Sequence, residues 1–87
     1  MNKCTILVVE DEALIAASLV NTLSSLGYTV HEPVATGEYA IRAVKTGQPD
    51  LVLMDIELIG KMNGIVAAEK IRAIADIPIV YLSLIHI

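Results

Sequence analysis

Two short runs constrain this chain more than any other feature: CTILVV at 4–9, β-branched and aliphatic after Cys4, and LVLM at 51–54, wholly apolar. Neither shows the alternation of a strand that faces water on one side. Unbroken aliphatic strands belong to parallel sheets whose two faces are both covered by helices. Each run ends in acid, the first in Glu10, Asp11 and Glu12 and the second in Asp55.

The intervening segments supply those helices. Leu14, Ile15, Ser18, Leu19, Thr22, Leu23 and Leu26 recur at helical spacing, with acids at the first turn and Gly27 as the stop. YTV at 28–30 reads as a short strand. Pro33 then bars regular helix until Thr36, whose hydroxyl caps a segment running through Ala40, Ile41, Ala43 and Val44 to the break at Gly47 and Pro49. After a loop containing Gly60 and Gly64, helical periodicity resumes over 65–75 through Ala68, Ile71 and Ala75, and Pro78 opens a last strand at 79–82. Gly64 reads as a helix start or a positive-φ turn. The order is βαβαβαβ with short crossovers, which predicts an α/β fold with a right-handedly wound parallel sheet. In such sheets ligands bind beyond the carboxyl ends of the strands, where strand order reverses, and both acidic clusters stand there.

Composition narrows the function. A chain of 87 residues is one domain at most and must be densely apolar to hold a core; 55% of it is hydrophobic, with no Trp or Phe. Ten acids against six bases give a net charge of -4, so the chain lacks the basic footprint that grips a nucleic acid backbone. The single cysteine, Cys4, lies in an apolar run and reads as a buried, inert thiol in a reducing compartment. No run approaches the ~20 apolar residues that span a bilayer, and the N-terminus has no signal-peptide pattern. A soluble, cytoplasmic protein without membrane contact is expected.

If strands one and three are neighbours, the carboxylates of Asp11 and Asp55 come within roughly 5 Å of each other, the spacing of paired strands. With Glu10 they would repel and raise one another's pKa unless a cation intervened. All-oxygen ligation suits Mg²⁺, which binds through one or two carboxylates plus water and phosphate oxygen; nothing suits zinc. Asp55, fixed by the strand before it, is the best-placed nucleophile toward phosphorus. The bland alternatives are that Glu10 and Asp11 merely cap a helix and that Asp55 forms a turn. Glu12 reads as solvated surface, His31 and His86 as ordinary residues without partner ligands, and Tyr81 as core.

ILVVEDE at 6–12, LVLMDIEL at 51–58 and MNGIVAAEKIR at 62–72 resemble the receiver domains of two-component response regulators over nearly the whole chain. The resemblance implies a flavodoxin-like doubly wound sheet of order 2-1-3-4 and a phosphoacceptor, not an enzyme, beyond its own phosphorylation and dephosphorylation. It places Mg²⁺ on Glu10, Asp11, Asp55 and the main-chain carbonyl of Glu57, and makes Asp55 the residue phosphorylated by a histidine kinase or phosphotransfer protein. Ser83 matches the switch hydroxyl. The loop at 55–64 is similar to that of receivers joined to sensor kinases, so a kinase or output domain is implied elsewhere in the full-length protein.

The pattern then departs from the family. The fourth helix, the fifth strand with its lysine, and the fifth helix have no counterpart within 1–87, and Leu84 to Ile87 do not resemble the family's loop after the switch hydroxyl. A receiver incomplete at its C-terminus is expected, with an apolar edge on strand four through which copies self-associate. Two other functions stay open: a receiver-shaped interaction module that is never phosphorylated, and a Mg²⁺-dependent phosphohydrolase using Asp55 and Glu57. The latter lacks the second aspartate and the room for a cap that such enzymes use.

Overall fold

A computed structural model describes residues 4–58 and 60–82. The order is β1 (Thr5–Val9), α1 (Ala13–Ser25), β2 (Thr29–Val30), α2 (Gly37–Gly47), β3 (Leu51–Asp55), α3 (Gly64–Ile74) and β4 (Ile79–Leu82). The strands form one parallel sheet of order β2-β1-β3-β4, as expected. Register sets Val9 opposite Met54 and Asp55 opposite Leu82, so Glu10 and Asp55 leave the same sheet edge on neighbouring strands.

Alternate strand residues feed two separate cores, which is why no alternation is visible in the sequence. Leu7, Val9, Val52 and Met54 face α2 and α3 and pack with Ala40, Val44, Ala67 and Ile71. Ile6, Val8 and Leu53 face the other way, toward Leu19 and Leu23 of α1. The central strands are therefore buried on both sides.

Local chemistry sets the helix ends. Thr36 Oγ1 accepts the Tyr39 N–H at 3.1 Å and caps α2, and Asn63 Oδ1 accepts the Val66 N–H at 3.0 Å and caps α3, a cap that the sequence reading passed over. Gln48 ends α2 in the left-handed region at φ 45°, just before Pro49.

Three expectations need correction. The acids precede α1 instead of lying in its first turn: Glu12 is its extended N-cap residue, without a side-chain cap bond. Leu14 is 87% exposed because α1 meets the sheet along Leu19 and Leu23, one turn apart, and Leu14 falls outside that stripe; Leu26, 69% exposed, is the C-cap residue just past the helix. Cys4 is half-buried rather than buried. Tyr81 packs partly against the α2–α3 core as expected, its ring under Arg72 at 5.8 Å. Ser83, His86 and the segment 84–87 lie outside the described residues.

Candidate metal centre

The site begins with a backbone clamp. Beyond β2 the chain stays extended through Pro33, and Val34 bridges to Val9: its N–H donates to the Val8 carbonyl at 3.0 Å, and its carbonyl accepts the Glu10 N–H at 2.9 Å. Glu10 is thus held by this bridge, one residue past the Val9–Met54 pairing of β1 with β3. The sequence signal for this extended entry is Pro33, which biases the residue before it to extended backbone as well as blocking helix.

From this frame Glu10, Asp11 and Asp55 each present a carboxylate oxygen, all within 4.8 Å of one another. Glu10 is 3% exposed and Asp55 7%, while Asp11 is half-buried. Glu10 Oε2 accepts the Glu12 N–H at 3.0 Å, a local turn bond that ends before the first helical residue, so neither Glu10 nor Asp11 caps the first turn of α1. That bond does not account for the other oxygen, since Glu10 Oε1 is buried with no hydrogen-bond partner. Burial pushes Glu10 from 4.5 up to about 7, opposed by the Glu12 N–H and helped by hydrogen bonding with Asp11 and Asp55 and by the Asp55 charge. A buried, orphaned carboxylate oxygen among converging oxygens fits a hard divalent cation such as Mg²⁺.

Asp55 Oδ1 accepts the Glu57 N–H at 3.0 Å, while the Ile56 N–H donates to the Leu82 carbonyl at 3.3 Å. Glu57 itself is exposed and its carboxylate is not among the converging oxygens; only its main chain reaches the site. Ser83, assigned to the same edge from sequence, lies outside the described residues. A cleft of about 250 Å³ opens beside Glu10 and Asp11, walled by Ala13, Ala16 and Ala17 of α1 and by Pro33 and Val34. Small side chains keep it open.

A parallel sheet of order 2-1-3-4 with an acid triad at its carboxyl edge defines a class of regulatory α/β domain, and comparison with known proteins identifies it. The response regulator receiver domain family matches residues 6–86, and this chain belongs to that family. It is 35% identical over 83 residues to the transcriptional regulatory protein YvrH of Bacillus subtilis, covering 95% of this chain and 35% of that protein. It is 41% identical over 78 residues to the DNA-binding response regulator MtrA of Mycolicibacterium paratuberculosis, covering 90% of this chain and 34% of that one. The signal receiver domain of a modulated diguanylate cyclase from Desulfovibrio desulfuricans G20 superposes with a TM-score of 0.86 at 38% identity, over 91% of this chain and 63% of that one. The chain spans about a third of the length of the curated relatives it matches. It is a receiver domain of the two-component response regulator family, and no described helix is long and apolar enough to cross a membrane.

Proposed function

We propose that Asp55 is the phosphoacceptor of a two-component relay, with Mg²⁺ held by Glu10, Asp11, Asp55 and the main-chain carbonyl of Glu57. The observation that carries this is the convergence of three carboxylates around the orphaned Glu10 Oε1. The donor is a phosphohistidine on a kinase or phosphotransfer protein. Asp55 attacks phosphorus, an O–P bond forms, and the P–N bond breaks; the imidazole nitrogen leaves with the electron pair and takes a proton from water. Bound Mg²⁺ supplies the positive charge that offsets the phosphoryl oxygens. The Glu57 N–H on Oδ1 orients the nucleophile.

Ser83 is the switch hydroxyl in this reading, and a cytoplasmic location goes with the kinase partner. Residues 1–87 act as one receiver unit that works with an output or sensor-kinase domain. The Val80 side chain is 48% exposed, and β4 pairs only with β3 among the described residues, which supports self-association of this chain along the β4 edge.

The test is labelling with a phosphohistidine donor and Mg²⁺. One equivalent of phosphate is expected on the wild type, with none on Asp55→Asn and none without the ion. Steady turnover of a phosphate ester would favour the hydrolase. Absence of both labelling and Mg²⁺ binding would favour the interaction module.

A further inference from the structure

Gly64 opens α3, and its N–H donates to the Ile56 carbonyl at 3.1 Å. The start of α3 is thereby closed onto the turn that carries Asp55 and Glu57. A Cβ at residue 64 would run into the Asp55 carbonyl oxygen, with the Asp55 carbonyl carbon at 2.8 Å and the Ile56 Cα at 3.0 Å. All three are main-chain atoms and cannot rotate away. The requirement is for space, not for a left-handed conformation, since the positive-φ glycines are Gly27 and Gly60. Gly37 makes the useful contrast: a Cβ there meets the end of the Met62 side chain, with Sδ at 2.7 Å, and a thioether can swing aside.

We propose that Gly64 is a positioning residue for the acidic site. Its bare backbone lets α3 seat against the Asp55–Ile56 peptide, and that seating sets where the Asp55 carboxylate and the Glu57 carbonyl stand. This rests on reading Glu10, Asp11 and Asp55 as a Mg²⁺ site. The turn is pinned to β4 through the Ile56 N–H and to itself through the Glu57 N–H on Asp55 Oδ1, so a push at Asp55 moves both ligand groups together.

Ion choice separates mispositioning from simple loss of stability. Mg²⁺ demands near-ideal octahedral contacts at about 2.1 Å, whereas Ca²⁺ accepts irregular ones at about 2.3–2.6 Å. The experiment is calorimetric titration of wild type, Gly64→Ala and Gly37→Ala with MgCl₂ and with CaCl₂, folding being followed by circular dichroism. Gly64→Ala is expected to weaken Mg²⁺ binding about tenfold, as changes behind a metal's direct ligands do, and Ca²⁺ binding less. Gly37→Ala is expected to lower thermal stability and keep both affinities. If Gly64→Ala does not fold, insertion of one glycine between Lys61 and Met62 loosens the same contact without a clash and is expected to lower the Mg²⁺ preference likewise. Unchanged Mg²⁺ affinity, or equal loss for both ions, in whichever variant folds would overturn the positioning role. A wild type that binds neither ion would instead defeat the metal reading beneath it.

Discussion

The orphaned acid at the sheet edge makes stability depend on pH in an unusual direction. Glu10 stands at about 7 in the folded chain against an ordinary 4.5, first because it is buried. A carboxyl whose pKa is raised by folding contributes its full stability below the unfolded value and loses it as pH climbs through the folded one. Without divalent ions the protein should therefore be less stable at about pH 8 than at about pH 5, by at most about 3 kcal/mol for this shift. Asp50 does not confuse the measurement. Its carboxylate accepts the Thr5 N–H at 2.9 Å and the Thr5 hydroxyl at 3.0 Å, which hold it below 3.8 and outside that window. Urea titrations in EDTA at the two pH values read the difference directly, provided the slope with denaturant stays constant. Glu10→Gln should remove most of the slope with pH. Saturating Mg²⁺ should stabilise the wild type more at the higher pH, where protons no longer compete for the carboxylates. Stability that stays flat over this range, or a slope that survives in Glu10→Gln, would show that Glu10 is not the strained group.

Other substitutions test the frame. Ile71→Ala empties a fully buried position between α3 and the sheet and should cost about 2–5 kcal/mol in denaturant titration. Asn63→Ala removes the α3 cap and should cost about 1 kcal/mol by the same measurement. Leu14→Ser, at an 87% exposed position, should leave the melting temperature within experimental error, although the helical pattern alone would have marked it as core.

How much of this was legible in the sequence follows from where the signals are strong. The uninterrupted runs before Glu10 and Asp55 fixed strand type, pairing and sheet edge, since few other arrangements bury such segments on both faces. Thr36 marked the start of α2 because capping is local chemistry, whereas the left-handed end falls on Gln48, one residue past the expected Gly47. Leu14 was misplaced because helical spacing gives a stripe but not its centre, which depends on where the sheet lies. The Val34 bridge and the contact of Gly64 with Asp55 were invisible for a related reason: both are tertiary approaches of main chain to main chain, and no side chain records them. Gly64 could be seen as a glycine, but its need for space could not be told from a need for a turn.

The pairing of β1 with β3 also decides when the site comes into being. Thr5 and Asp50, clasped at the opposite end of those strands, are 45 residues apart in sequence, and the acids inherit a comparable separation. No hairpin or helical fragment holds two of the strand tips, so the loop between them must close before an ion meets more than one tip. Ion capture in a refolding chain would then report completion of the central sheet, serving as a clock for the slowest long-range event and not only as a step in signalling.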